Sequence, residues 1–125
     1  MSFHGKLKKT SPLKDLIGKR TLIFDGGTGS VLQEMGLKPG EFPERWNYEH
    51  PEKVQKLHYD YFASGSNIVN TNTFGANSLK FDDDELEKIV CCAVENAKFA
   101  RSSLEASDSF NAAEPHFIAI DIGDR

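Results

Sequence analysis

A carboxylate and three glycines stand together in Asp25-Gly26-Gly27-Thr28-Gly29. The four residues before them, Thr21 to Phe24, are apolar or β-branched and predict a short buried strand, so Asp25 falls at its carboxyl end. Glycines at this point let the backbone turn sharply and let a ligand approach the main chain without a Cβ in the way. A helix predicted from Ser30 to Met35 would turn its unpaired N–H groups toward an anion. The stretch predicts a small anionic ligand, although its spacing is not that of a dinucleotide fold.

A second polar cluster follows the next predicted strand, which spans Asn67 to Thr71. Its members are Asn70, Thr71, Asn72 and Thr73. Side chains two residues apart on a strand point to the same side, and the carboxyl ends of parallel strands share one edge of a sheet. The cluster is therefore expected to lie on the same edge as Asp25. The alternative is that these hydroxyls and amides only shape a turn or cap the next helix.

Three other groups of reactive side chains favour structural interpretations. His58 flanks the apolar stripe of a predicted helix and is expected to be packed and hydrogen-bonded rather than catalytic. The three acids Asp82-Asp83-Asp84 point in different directions and suit the start of a helix better than a metal ion. Cys91 and Cys92 lie in the middle of that helix, with no further ligand at a workable spacing for zinc, and are expected to be inert thiols.

Composition excludes several classes of function. A chain of 125 residues forms one domain or part of one. A net charge of −4 and a pI near 5.5 argue against a nucleic-acid-binding surface. The sequence has no apolar run near the ~18 residues of a membrane span and no signal-peptide core. The two adjacent cysteines cannot build a disulfide framework, so we expect a soluble protein of the reducing cytoplasm.

The predicted elements alternate between helix and strand. The sequence stretch 37–50 between two helices is predicted to be a long loop, with Phe42 and Trp46 packing against one end of the core rather than forming a lid. Alternation of this kind predicts an α/β fold with a parallel sheet, either a (β/α)8 barrel or an open doubly wound sheet. The elements are a basic arm over 1–12, helices over 13–17, 30–35 and 51–63, a turn over 77–81, a helix from 82–84 to about 104, a linker over 107–114, and strands over 21–24, 67–71 and 115–120.

Four ordered motifs resemble the homocysteine S-methyltransferase family, over roughly residues 13 to 123. The strongest match is Gly65 to Asn77, which is similar to the family's second strand. Gly36 to Gly40 favours the N-terminal module of cobalamin-dependent methionine synthase. The other three motifs are Phe24-Asp25-Gly26-Gly27-Thr28-Gly29, Pro43-Glu44-Arg45-Trp46-Asn47 with Glu49-His50-Pro51-Glu52, and Asp121-Ile122-Gly123.

The resemblance implies zinc-dependent methyl transfer to homocysteine within a (β/α)8 barrel. Zinc would hold the homocysteine sulfur as a thiolate, which is its nucleophilic form. The chain would contain the first three of eight strands, with residues 13–125 forming the N-terminal part of the domain. The residues that match substrate-binding positions of the family are Asp25, Gly26, Gly27, Thr28, Thr71, Asn72 and Thr73.

The same resemblance leaves the chemistry incomplete. The family's three zinc-binding cysteines and its acid for the substrate amino group belong to later parts of the barrel, so no metal or catalytic residue is carried over. We therefore expect a fragment that is inactive alone, with methylcobalamin on another module, a betaine or a methylated sulfonium as methyl donor. The alternatives are a non-catalytic small-anion-binding module, or a non-functional fragment that self-associates through its open apolar edge.

Overall fold

The computed structural model describes residues 22–26, 28–107 and 114–120. The predictions for 1–12, 13–17, the linker centre and Asp121-Ile122-Gly123 lie outside these residues. Within them the chain has an α/β fold, as predicted. Its elements are α1 (Thr28–Glu34), a 3-10 turn (Pro43–Arg45), α2 (Trp46–Glu49), α3 (Pro51–Ala63), β1 (Ile68–Asn70), α4 (Asp83–Glu105) and β2 (Phe117–Ala119).

The sheet is parallel, as the alternation of elements predicts. Strand β1 pairs with β2 in the register Ile68 to Phe117, Val69 to Ile118 and Asn70 to Ala119. The segment before Asp25 joins the other side of β1 through a single parallel bridge between Phe24 and Ile68. In chain order, three segments therefore lie side by side, and their carboxyl ends share one edge.

The strand predicted over Thr21 to Phe24 pairs in parallel with β1 in its described part, but the prediction that it is buried is wrong; Thr21 lies outside the described residues. Among the described residues of this segment, only Phe24 forms a bridge, and Ile23 and Phe24 are 53% and 58% exposed. Among the described residues, the segment is paired with β1 alone, and the side chains of Ile23 and Phe24 lack the cover that a buried strand requires. Ile120, predicted to be buried at the end of the third strand, is also 56% exposed.

Helix α3 has the bounds that the sequence predicts. It begins with Pro51, whose fixed φ suits the first helical position. It ends before Gly65, which has φ +118° and so adopts a conformation that glycine tolerates without strain. Its buried side includes Val54, Leu57 and Phe62, which packs it against the rest of the core.

Helix α4 is capped by Asp82, whose Oδ1 accepts a hydrogen bond from the backbone N–H of Glu85 at 2.8 Å. The acidic stretch therefore begins a helix, as predicted. The predicted stripe is buried at its centre, whereas Leu86 and Val90 are only half-buried. The buried apolar members are Ile89, Ala93, Ala97, Ala100 and Leu104.

The stretch 37–50 is not a long irregular loop. It contains the 3-10 turn and helix α2, because Pro43 supplies a helical φ and the residues after it continue in helical conformation. Trp46 is buried and packs with Leu32, Leu37, Val54 and Leu57, which confirms its predicted place in the core. Among the described residues, no helix is long and apolar enough to cross a membrane.

Candidate functional site

Asp25 is tied to the neighbouring strand at the edge where the strands end. Its Oδ2 accepts a hydrogen bond from the backbone N–H of Asn70 at 3.2 Å, and its Oδ1 accepts one from Asn70 Nδ2 at 3.0 Å. The backbone N–H of Asp25 donates to Ile68 O at 3.0 Å. The first and second polar clusters of the sequence therefore meet, as their positions at the strand ends predict.

Gly26 and Thr28 follow Asp25 along the edge of a cleft. A Cβ on Gly26 would lie 2.9 Å from the Tyr61 hydroxyl oxygen, so glycine allows the close approach of helix α3 at this point. Thr28 begins helix α1 two residues earlier than the sequence predicts. Gly27, a third predicted site residue, lies outside the described residues.

Thr71 and Thr73 form a buried pair at the end of β1. Their hydroxyl oxygens are 2.9 Å apart and share one hydrogen bond. The backbone N–H of Thr71 donates to Ala119 O at 2.9 Å, which fixes the residue against β2. Both hydroxyls are therefore held inside the protein at the carboxyl edge of the sheet and do not extend into solvent.

Asn72 is hydrogen-bonded to the segment that precedes helix α3. Its Nδ2 donates to Pro43 O at 2.8 Å and to Asn47 Oδ1 at 3.0 Å. In return, Asn47 Nδ2 donates to Asn72 O at 2.8 Å. Because both Nδ2 protons are used within the protein, a role for Asn72 in binding stays a prediction and would require its other atoms.

Glu44 is a buried carboxylate at this edge that the sequence analysis did not single out. It is 4% exposed, and its Oε2 accepts a hydrogen bond from the backbone N–H of Gly75 at 2.9 Å. Among the described residues, its Oε1 is buried and has no hydrogen-bond partner. A pattern of apolar periodicity could not reveal it, since Glu44 precedes the first helical stripe and has the composition of a solvated residue.

The glycine turn, the 3-10 turn and the residues that follow β1 enclose a cleft of about 320 Å³. That volume is at the lower end of the ~300–1,000 Å³ range typical of pockets for small molecules. Its lining joins the glycine turn, the 3-10 turn and the rim after β1: Gly26, Thr28, Gly29, Pro43, Glu44, Asn70, Thr71, Asn72 and Phe74. Of the seven predicted substrate-binding residues, Gly26, Thr28, Thr71 and Asn72 line the cleft directly.

An ion pair on the far side of the 3-10 turn holds it against helix α4. Arg45 Nε lies 2.7 Å from Glu85 Oε2, and the Tyr48 hydroxyl donates to the same oxygen at 2.6 Å. The hydrogen bond from Arg45, followed by that from Tyr48, lowers the pKa of the Glu85 carboxyl. The carboxylate therefore stays charged and keeps the turn in place.

His58 is packed, as predicted, but it is not hydrogen-bonded. Its side chain is fully buried, and neither ring nitrogen has a hydrogen-bond partner among the described residues. Burial lowers the pKa of its imidazole from 6.5 to about 4. His58 is absent from the lining of the cleft.

The part of the chain that the structure describes offers no group of three His, Cys, Asp or Glu side chains that could hold a metal ion. Cys91 is exposed and Cys92 is half-buried on helix α4, and neither lines the cleft. The two thiols therefore do not match the donor set of a zinc centre, which has four ligands or three with an open position.

Comparison with known proteins gives one family. The family described as Homocysteine S-methyltransferase matches residues 22–125. Betaine–homocysteine S-methyltransferase 1 of Rattus norvegicus is 35% identical over 80 residues, which cover 63% of this chain and 20% of the relative. Methionine synthase of Mycobacterium tuberculosis is 31% identical over 80 residues, 59% of this chain and 7% of that protein. The chain spans at most about a fifth of these two relatives.

The fold also matches a solved structure. The homocysteine methyltransferase of Escherichia coli, in its metallated form, superposes with a TM-score of 0.75 at 22% identity. The superposition covers 90% of this chain and 41% of that one. At this level of identity, the likeness establishes the shared fold alone.

Proposed function

The chain belongs to the homocysteine S-methyltransferase family, and on that premise we propose that its cleft binds homocysteine, the methyl acceptor in a transfer that forms methionine. The observation that carries the proposal is the contact of Asp25 with Asn70, a residue that lines the cleft. Two motifs that resemble the family are separated by more than forty residues in sequence and share one edge in space. We propose that this edge is the C-terminal rim of a partial (β/α)8 barrel.

The cleft suits an amino acid because its wall combines open backbone with fixed polar side chains. Gly26 and Gly29 line the cleft beside Asp25, and the Asp25 carboxylate is held in place by two hydrogen bonds from Asn70. We propose that the amino-acid end of homocysteine docks on Asp25, Gly26, Gly27 and Thr28. Thr71 and Asn72 would line the neighbouring wall, and Thr73, which does not line the cleft, would hold the Thr71 hydroxyl through their shared hydrogen bond. Groups fixed before binding lose little entropy when the ligand arrives.

The methyl-transfer step itself requires groups that this chain does not supply. A bound zinc ion would hold the homocysteine sulfur as a thiolate. The described residues do not provide the ligands for such an ion. The whole sequence contains two cysteines, and both lie on helix α4 away from the cleft. We therefore propose that residues 1–125 dock homocysteine without turning it over. We also propose a reducing cytoplasm as the setting in which the two adjacent cysteines stay as free thiols.

Titration of the ¹⁵N-labelled chain with homocysteine tests the docking proposal. We expect shifts at the amides of Gly26, Thr28 and Thr71. Asp25→Ala should weaken binding by about tenfold or more, which corresponds to the loss of one charge-assisted contact. Asp60→Ala is the matched control, because this carboxylate is exposed on α3 and pairs with Lys56. Saturable binding unaffected by Asp25→Ala, or no binding at all, would refute the docking site.

Turnover is a separate measurement. Purified chain, zinc, homocysteine and either betaine or a methylated sulfonium should give no methionine above the rate without protein. Formation of methionine in proportion to the concentration of the chain would show that the proposal of docking without turnover is wrong.

We further propose that the chain self-associates through the apolar edges of its sheet. Ile23 and Phe24 on one side of β1, and Ile120 after β2 on the other side, are each more than half exposed. Exposed apolar side chains beside a strand edge favour association. Light scattering across a concentration series should show a mass above 13.9 kDa that falls on dilution. Phe24→Lys should shift the protein toward the monomer. A monomer at every concentration would contradict this proposal.

A further inference from the structure

The backbone after β1 is hydrogen-bonded to the segment that contains the 3-10 turn and the start of α2. Residues Thr71 to Gly75, which we call the rim segment, have little regular structure of their own. Within the rim segment, the backbone N–H of Thr73 donates to Thr71 O at 2.9 Å. The N–H of Gly75 instead donates to a side chain from 31 residues earlier, Glu44 Oε2.

Asn47 makes the second attachment. It exchanges hydrogen bonds with Asn72 in both directions, at 2.8 and 3.0 Å. Its Nδ2 also donates to Ile89 O at 3.2 Å, and its own carbonyl accepts from Asn96 Nδ2 at 2.9 Å. Asn47, which is 1% exposed, therefore connects the rim segment to helix α4 through buried hydrogen bonds.

Glu44 is an unusual choice for a purely structural acceptor. One of its oxygens holds Gly75, and the other is buried without a partner among the described residues. Burying a carboxylate with an oxygen left unpaired is costly, and buried unsatisfied groups concentrate where a protein needs a defined geometry for function. A Cβ at Gly75 would lie 2.9 Å from Glu44 Oε2 and 2.9 Å from Lys80 Nζ, so glycine leaves room for the carboxylate against the rim backbone.

We propose that Glu44 is a positioning residue, which together with Asn47 sets the geometry of the rim segment to which homocysteine binds. The inference rests on the proposed function and deepens it. Glu44 acts through the Gly75 N–H, and an uncharged acceptor of the same length performs the same task. The walls of the cleft are thereby fixed before the ligand arrives, which is the condition for precise positioning of a small substrate.

Three variants of the full chain test this inference: Glu44→Ala removes the acceptor, Glu44→Gln keeps an oxygen at the same reach, and Asp82→Ala is the control. Asp82 accepts a hydrogen bond from the Glu85 N–H at 2.8 Å at the start of α4, so its loss costs stability through the helix cap. The readouts are hydrogen exchange at the Gly75 amide, the dissociation constant for homocysteine, and the urea midpoint. The urea midpoint separates rim effects from general loss of stability.

In Glu44→Ala we expect Gly75 to exchange at least about tenfold faster and homocysteine to bind at least about tenfold more weakly. Glu44→Gln should stay within about twofold of wild type in the Gly75 exchange rate and in the dissociation constant for homocysteine, a difference below about 0.5 kcal/mol at 25 °C. Asp82→Ala should lower the urea midpoint and leave both rim readouts unchanged.

The possible results separate this inference from the proposed function. If wild type binds homocysteine and Glu44→Ala binds it equally well, the inference fails and the proposed function stands. If Glu44→Gln keeps Gly75 protected but loses homocysteine, the charge contacts the ligand and positioning is the wrong role. If the wild-type chain binds no homocysteine, both proposals fall.

Discussion

His58 predicts a specific dependence of stability on pH. The imidazole is fully buried on the inner side of α3 without a hydrogen-bond partner among the described residues. Burial lowers the pKa of His58 from 6.5 to about 4. Between these two values, the unfolded chain binds a proton that the folded chain excludes. Protonation therefore favours the unfolded state, and stability falls as the pH drops from 6.5 toward 4.

The size of the effect follows from the difference between the two pKa values. Each pH unit within this interval is worth about 1.4 kcal/mol. Relative to pH 7.5, His58 should lower the free energy of unfolding by about 1.3 kcal/mol at pH 5.5 and about 2 kcal/mol at pH 5.0. His58→Leu removes the titrating group and keeps a similar volume. Loss of two unpaired buried nitrogens should also stabilise the protein by about 1 kcal/mol at pH 7.5.

Urea unfolding of wild type and His58→Leu, followed by far-ultraviolet circular dichroism, measures this difference at pH 7.5, 6.5, 5.5 and 5.0. The pKa of His116 is also lowered, mainly by burial, but this residue is present in both proteins and its contribution cancels. We expect the advantage of His58→Leu to be constant above pH 6.5 and to grow steadily below it. An advantage that does not change with pH, or a less stable variant at pH 7.5, would refute the reasoning.

Two further predictions concern the rim segment and the longest helix, and both are measured by urea unfolding. Gly75→Ala would bring a Cβ to 2.9 Å from Glu44 Oε2, so we expect a loss of about 1–3 kcal/mol. Gly29→Ala, where nothing lies within 4 Å, should be neutral or stabilising by up to about 1 kcal/mol; equal effects at the two glycines would count against the close approach. Asp82→Ala removes the cap of α4 and should cost about 1 kcal/mol, and the exposed Asp84→Ala should cost less.

Elements with strong local signals were predictable from the sequence. Pro51 and Gly65 mark the two ends of α3 because each has one dominant backbone requirement, and Asp82 marks the start of α4 in the same way. The stretch 37–50 carries proline and glycine, which suggest a loop. Its helical turns were missed because tertiary contacts, such as Arg45 with Glu85, stabilise segments too short to be helical alone.

The site was predictable only in part, for a related reason. Strand ends in a parallel sheet share an edge, so Asp25 and Asn70 could be brought together from their positions alone. Glu44 and Asn47 contact the rim segment through a turn whose path the sequence pattern does not define. The exposure of Phe24 was missed because an apolar pattern predicts which residues can be buried, not whether a neighbour covers them.

The attachments of Asn47 also bear on how the folded state is reached and lost. Its side-chain and carbonyl hydrogen bonds reach partners 25, 42 and 49 residues away. Hydrogen bonds need closer alignment of the joined segments than apolar packing over similar separations does, so we infer that they complete after the rate-limiting step of folding. Interactions made that late slow unfolding without speeding folding. The hydrogen bonds of Asn47 would then set the rate of unfolding, and so the lifetime of the native state. The packing of α3 against α4 would set the rate of folding.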